Sequence, residues 1–127
     1  MNEPRLAPPP TTTAVAKAQA HNHADTVAEV AAAVARDSLV IVGMGWNPAV
    51  GTARRLLTAA GQAHTYLGYG NYLSGWRKRL AIKLWSGWPT YPQVFVHGRL
   101  VGGASDLRAL IESGEFAALF AAGRTGG

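Results

Sequence analysis

The segment from Trp88 to Asp106 constrains the fold more than any other part of the chain. Pro92 cannot donate a hydrogen bond to a sheet, so it lies at a strand start or in a turn. The run Val94–Val96 that follows is typical of a buried strand. His97-Gly98 has the composition of a tight turn, and Arg99–Val101 supplies the return strand. The segment therefore predicts a proline turn followed by a β-hairpin.

A glycine corner and a helix follow the hairpin. Gly102-Gly103 allows the backbone to turn sharply and to approach other groups closely. Ser105 is a favourable N-cap residue for a helix that includes Leu107 and Leu110. Because the first N–H groups of a helix have no partner within it, this helix start is a candidate anion site.

The rest of the chain alternates helices with strands. Two parallel strands joined by a right-handed crossover, together with the hairpin, predict an α/β fold with a four-stranded mixed sheet flanked by helices. Ligands on such a sheet bind beyond the carboxyl ends of the parallel strands, where Gly43–Pro48 lies. The patterns predict a helix over Asp25–Arg36, a strand over Leu39–Val42, a helix from Pro48 to Gly61, a strand over His64–Leu67, a helix over Ser74–Trp85, and helices between Asp106 and Ala122 with a break near Gly114.

The predicted domain occupies residues 25–122. Residues 1–24 read as a disordered tail, because they include Pro8-Pro9-Pro10 and lack a large apolar face. Residues 123–127 are expected to be loose. No apolar run reaches the ~18 residues that span a bilayer, and no secretory signal is apparent, so a cytoplasmic location is expected without a membrane partner. His21 and His23 supply only two of the four ligands of a usual closed metal site.

The run W-P-T-x-P-Q-V-F-V-x-G-x-x-V-G-G-x-S-D-L resembles the glutaredoxin family, and its W-P-T form is most similar to the monothiol branch. The resemblance extends from about Thr26 to Phe120. It implies a thioredoxin-like glutaredoxin fold. It also implies glutathione as the candidate ligand, with no other cofactor.

The residue that performs the family's chemistry is missing, because the chain contains no cysteine. The family patterns C-P-x-C and C-G-F-S place Asn47 at the nucleophilic position and Val50 at the resolving position. Thiol–disulfide exchange needs a thiolate, so the sequence excludes this activity and assigns no catalytic residue. Iron–sulfur clusters are usually held by cysteine, which disfavours a cluster. Asn47 is instead expected to serve as an N-cap.

The resemblance also implies a glutathione groove. In the family, the backbone before the cis-proline pairs with the cysteine of glutathione, and the glycine corner binds the γ-glutamyl end. A basic residue in the third helix takes the glycine carboxylate. Met44 stands where the family has a lysine, which should weaken an anionic ligand. Each matching residue also has a purely structural interpretation, as a turn, a corner or a cap. The implied ligand-binding residues are Arg79, Tyr91, Pro92, Gly103, Ser105 and Asp106.

The charge distribution points to a negatively charged ligand or partner. Between Ser38 and Ile111 the chain has eight basic residues and a single acid, Asp106. Such a field favours an anionic small molecule or an acidic protein surface. The densest basic run, Trp76–Arg79, is accompanied by no nucleic-acid motif, which disfavours a nucleic-acid partner.

Three interpretations remain open at this stage. The favoured one is a non-redox binding or adaptor protein that acts on a protein partner or a small anion, through the groove or a basic and aromatic surface. The second is an enzyme or accessory subunit that uses the old glutathione site for different chemistry. The third, which the resemblance to the monothiol branch implies, is a histidine-dependent metal or cluster carrier that works with a BolA-type partner. Candidate anchors for the first are Trp46, Tyr66, Tyr69, Tyr72 and Trp76, and candidate acids or bases for the second are His64, Tyr91, His97 and Asp106.

Overall fold

The computed structural model describes residues 23–124. Within this range the helices and strands follow one another in the order that the sequence predicts. Most of the expected tail and of the expected loose C-terminus, residues 1–22 and 125–127, lies outside the described residues. The elements are α1 (Ala24–Arg36), β1 (Leu39–Gly43), α2 (Pro48–Ala59), β2 (Thr65–Gly68), α3 (Trp76–Ser86), β3 (Gln93–Val96), β4 (Arg99–Gly102), α4 (Ala104–Ser113) and α5 (Glu115–Ala122).

The strands form the predicted four-stranded mixed sheet, in the order β2-β1-β3-β4. β1 is central and fully buried, as expected of an unbroken apolar run. It pairs in parallel with β2, with Val40 opposite Thr65, and antiparallel with β3, with Val40 opposite Phe95. The two strands can be parallel because α2 returns the chain from the end of β1 to the end of the sheet where β2 begins. The carboxyl ends of β1 and β2 therefore lie together at one edge of the sheet.

The β3–β4 hairpin turns at His97 and Gly98, which both have positive φ angles of 48° and 83°. This pair of left-handed residues is the turn that matches the twist of the flanking strands. The imidazole Nε2 of His97 lies 2.8 Å from the Phe120 carbonyl oxygen, and the two rings stack 5.1 Å apart. The turn is thus tied to α5, and His97 lies in the hairpin, as the sequence predicts.

Two apolar clusters cover the two faces of the sheet. On one face α1 and α3 pack with side chains such as Val30, Val42 and Ile82. On the other face α2, α4 and α5 pack with side chains such as Leu57 and Leu107. Alternate residues of β1 supply both clusters, since successive strand side chains point to opposite faces.

Two expected boundaries shift for identifiable reasons. α3 begins at Trp76 rather than Ser74, because Gly75 has a φ of 76° and ends the preceding turn. α4 begins at Ala104 with Gly103 as its N-cap, so Ser105 lies in the first helical turn and is not the cap. The preference of serine for the N-cap position is outweighed by the glycine corner, because Gly102-Gly103 determines where the backbone enters α4.

None of the helices within residues 23–124 combines the length and the apolar character required to cross a bilayer.

Candidate functional site

Asn47 stands at the start of α2, where the sequence predicts it. It is the N-cap residue: its Oδ1 accepts the Ala49 N–H at 3.0 Å, and Pro48 follows in the first helical turn. Pro48 lacks only an N–H that would have had no helical partner. Val50 is 4% exposed, and its methyl groups lie so close to Gly43 that a Cβ there would come within 2.8 Å of them. Val50 therefore packs against the end of β1.

The other half of the Asn47 amide reaches the proline loop. Its Nδ2 donates to the Tyr91 carbonyl oxygen at 3.3 Å. The Tyr91-Pro92 peptide bond is cis and both residues are buried. Within residues 23–124 the Tyr91 N–H has no hydrogen-bond partner. One main-chain group of Tyr91 is thus occupied by Asn47 and the other is free.

The glycine corner lies against the same loop. A Cβ on Gly103 would come 3.5 Å from the Pro92 carbonyl oxygen, which shows how closely the two segments approach. Asp106 folds back so that its Oδ2 accepts the Gly103 N–H at 2.9 Å. Gly102 has a φ of 117°, and a Cβ there would clash with the Asp106 carboxylate, so this position requires glycine.

We call the meeting point of these segments the junction: the start of α2 at Asn47, the Tyr91-Pro92 peptide and the Gly103–Asp106 corner. At its α4 side, the N–H groups of Ala104, Ser105 and Asp106 have no acceptor within the described residues. The structure thus brings together Tyr91, Pro92, Gly103, Ser105 and Asp106, whereas the Arg79 side chain is directed elsewhere.

The Arg79 guanidinium is held by contacts within the protein, and its role as a ligand residue stays a prediction. It is only 8% exposed, and its Nη1 donates to the carbonyl oxygens of Tyr69 and Ser74 at 2.9 and 2.7 Å. The main-chain oxygen of Arg79 in turn accepts the Tyr91 hydroxyl at 2.6 Å. Burial raises the pKa of that hydroxyl above its ordinary value. Arg79 therefore links the loop before α3 to the proline loop.

Lys83 is a cation that the sequence analysis did not single out. It lies one helical turn after Arg79, and its ammonium nitrogen is 5.7 Å from the centroid of the Tyr91 ring. The i to i+4 spacing from Arg79 on a helix was the available signal. Met44, in contrast, is 6% exposed and belongs to the apolar cluster beside Tyr91.

None of the four candidate acids or bases has its side chain hydrogen-bonded to Asn47. His97 contacts Phe120 in the hairpin, and Asp106 holds the Gly103 N–H. His64 accepts from the Arg54 Nε at 3.2 Å, and burial together with that guanidinium lowers its pKa. His64 precedes β2 and follows α2, so it lies at the end of α2 opposite to Asn47. Within residues 23–124, no three His, Asp or Glu side chains are grouped as a metal would require.

Of the five aromatic side chains named as candidate anchors, two are covered and three are exposed. Tyr69 was expected to be an exposed anchor, but it is buried and its hydroxyl hydrogen-bonds to the Glu29 carboxylate. Tyr66 is half-buried beneath the Arg54 guanidinium, 4.1 Å from its ring centroid. Trp46, Tyr72 and Trp76 are exposed, at 64%, 61% and 53%.

Sequence comparison gives related proteins over most of the described chain. A glutaredoxin-like protein of Dictyostelium discoideum is 45% identical over 84 residues, which cover 66% of this chain and 68% of that protein. Monothiol glutaredoxin-4 of Schizosaccharomyces pombe is 34% identical over 77 residues, which cover 61% of this chain but only 32% of that relative. This chain therefore spans about a third of the longer relative. No protein-family model matches the sequence.

Comparison of structures gives the same family. A wheat glutaredoxin superimposes with a TM-score of 0.67 at 25% identity, covering 77% of this chain and 92% of the wheat protein. A buckwheat glutaredoxin in complex with glutathione superimposes with a TM-score of 0.68 at 16% identity over 80% of this chain and 92% of that one, a likeness of fold alone. The α/β thioredoxin-like fold expected from the resemblance is confirmed. The chain belongs to the glutaredoxin-like family, and it does so without a cysteine.

Proposed function

We propose that the protein is a non-redox binding protein whose junction holds a glutathione-like anion without forming a bond to it. The observation that carries this proposal is the position of Asn47. An amide stands at the helix start where the family resemblance implies a nucleophilic thiol, and it is hydrogen-bonded to both the helix and the proline loop. A neutral amide can donate and accept hydrogen bonds but cannot exchange disulfides.

The junction supplies the donors that such a ligand needs. The free Tyr91 N–H suits the peptide backbone of a tripeptide, and the N–H groups of Ser105 and Asp106 suit a carboxylate at the start of α4. Lys83 is the cation that we assign to a second carboxylate, with Arg79 as the residue that positions Tyr91. The choice of ligand class follows the chain's family, with the buckwheat glutaredoxin, a neighbour in fold, solved in complex with glutathione.

The hydrogen bond from Asn47 to the Tyr91 carbonyl competes with the ligand. A peptide backbone pairing with Tyr91 would use both the N–H and the carbonyl, and here one of the two lone pairs of that carbonyl already accepts the Asn47 amide at 3.3 Å. The loss of one hydrogen bond between the ligand and the protein weakens the binding free energy by about 1 kcal/mol. Together with the missing lysine at Met44, this predicts a dissociation constant on the order of 1 mM for glutathione.

The Asn47→Ser variant tests this proposal by calorimetry. Serine keeps the N-cap oxygen but lacks the amide donor, so the Tyr91 carbonyl is released. We expect glutathione to bind this variant roughly fivefold more tightly than the unmodified protein. S-methylglutathione, which has no free thiol, should bind both proteins as glutathione does.

The Asn47→Asp variant is the matched control. It also removes the amide donor and keeps the cap, but it adds a negative charge at the junction, so it should weaken binding of either ligand. The proposal is contradicted if neither ligand binds at roughly ten times the expected dissociation constant, or if S-methylglutathione fails to bind while glutathione binds.

A further inference from the structure

A second surface is formed by apolar side chains that the core does not use. We call it the aromatic edge: Trp46, Tyr72, Leu73 and Trp76. Leu73 is 83% exposed, more than any other large apolar side chain among residues 23–124. Scattered single apolar side chains are normal on a surface, but several on adjoining segments mark an interaction site.

Three backbone segments that touch one another carry this edge. The Gly45 N–H, next to Trp46, donates to the Gly70 carbonyl oxygen at 2.8 Å. A Cβ on Gly70 would clash with the Ser74 carbonyl oxygen, so the two ends of the loop are in direct contact. Trp76 begins α3 immediately after Gly75, which packs on Gly70. The backbone segments that carry the four exposed side chains therefore adjoin one another.

The loop that presents Tyr72 and Leu73 is firmly built. Asn71 and Ser74 exchange backbone hydrogen bonds of 3.0 and 3.3 Å, and the Asn71 Oδ1 accepts the Leu73 N–H at 2.8 Å. Below this turn the buried Arg79 guanidinium holds the Tyr69 and Ser74 carbonyl oxygens. A preorganised loop loses little conformational entropy when a partner binds, so exposed anchors on it are effective.

The positive charge beside the aromatic edge favours a negatively charged partner. Arg77 and Lys78 follow Trp76 and are exposed, and the Arg77 guanidinium lies 5.0 Å from the Trp76 ring centroid. Within residues 23–124 the ion pair found is Arg36–Asp37, so neither cation is neutralised there. The carboxylate that contacts this loop, Glu29, is hydrogen-bonded to the Tyr69 hydroxyl at its base.

We infer that the aromatic edge docks an acidic segment of a protein partner that inserts apolar side chains among Trp46, Tyr72, Leu73 and Trp76. Hot spots of protein–protein interfaces are enriched in tryptophan, tyrosine and arginine, the residue types found at the aromatic edge. Two flanking cations are fewer than the four to eight that typically bind an anionic membrane, which favours a protein. This inference does not depend on a ligand at the junction.

A random dodecapeptide library displayed on phage tests the inference on the full chain. We expect selection to enrich sequences that combine Asp or Glu with large apolar residues. The best peptide, labelled with fluorescein, should then bind in fluorescence anisotropy with an affinity that falls as salt is raised.

Paired variants locate the site. Tyr72→Ala with Leu73→Ser leaves the Asn71 and Arg79 hydrogen bonds in place and should weaken the peptide at least roughly tenfold. Arg77→Glu with Lys78→Glu should do the same. The matched control is Arg55→Glu with Arg108→Glu, an equal charge change at two exposed arginines that line a depression between α2 and α4 on the opposite face, and it should change affinity less than about twofold.

Three results would overturn the inference. The first is a selected consensus without acidic residues. The second is an equal loss of affinity in the control pair. The third is binding to phosphatidylserine vesicles that depends on Tyr72 and Leu73 while no peptide binds, which would assign the edge to a membrane surface. Unchanged circular dichroism of the variants ensures that the fold is retained.

Discussion

The Asn47→Cys variant is expected to carry a thiol that is far more acidic than a free one. A free cysteine has a pKa of about 8.5, and thiols at helix N-termini fall to roughly 3.5–7.5. Asn47 caps α2, whose first turn has unpaired N–H groups and no acidic residue. The thiolate absorbance of the variant, followed through a pH titration, measures this directly.

The same thiolate should attack oxidised glutathione at neutral pH. The attack forms a mixed disulfide with the protein and releases one glutathione thiolate, and it should be faster than for an unperturbed thiol. The suitable control is Thr58→Cys, which places a cysteine at an exposed position near the other end of α2. If the Asn47→Cys thiol titrates at or above the control, the correspondence between Asn47 and the family nucleophile has to be given up.

Replacing Arg79 by alanine is expected to destabilise the protein by about 3 kcal/mol. Two hydrogen bonds from the guanidinium to the Tyr69 and Ser74 carbonyl oxygens disappear, and hydrogen bonds to a charged group contribute roughly 1.5–3 kcal/mol each. Urea denaturation gives the loss in free energy of unfolding. Arg79→Lys should recover part of it, because an ammonium can reach one carbonyl but does not reproduce the planar fork.

Lys83→Met is the matched comparison for ligand binding. Lys83 is half-buried and its charge lies over the Tyr91 ring, so its removal should change stability by no more than about 1 kcal/mol. It should nevertheless weaken glutathione several-fold, through loss of a cation at the junction. If Arg79→Ala instead leaves stability unchanged and abolishes glutathione binding, Arg79 is the ligand residue that the sequence pattern indicates.

Much of this architecture could be predicted from the sequence because its signals are local. The unbroken apolar run of β1, the left-handed pair at His97-Gly98 and the Asn47-Pro48 helix start each follow from neighbouring residues. The mixed sheet follows from their order along the chain.

The contacts that define the candidate site are not local. The Asn47–Tyr91 hydrogen bond joins residues 44 positions apart, and the Tyr69–Glu29 contact joins a loop to α1. Spacing placed Arg79 on α3, but the direction of its side chain depends on the Asn71–Ser74 turn that closes over it. No sequence periodicity predicts these long-range contacts, so they could be identified only in the three-dimensional structure.

An amide NMR titration with glutathione tests the central claim, that the junction of this cysteine-free glutaredoxin-like protein still binds a glutathione-like anion. A site with a dissociation constant on the order of 1 mM is mostly filled at roughly 10 mM ligand. We predict that the amide resonances of Tyr91, Ser105 and Asp106 then shift most. Unmoved resonances at all three positions at that concentration would contradict the claim.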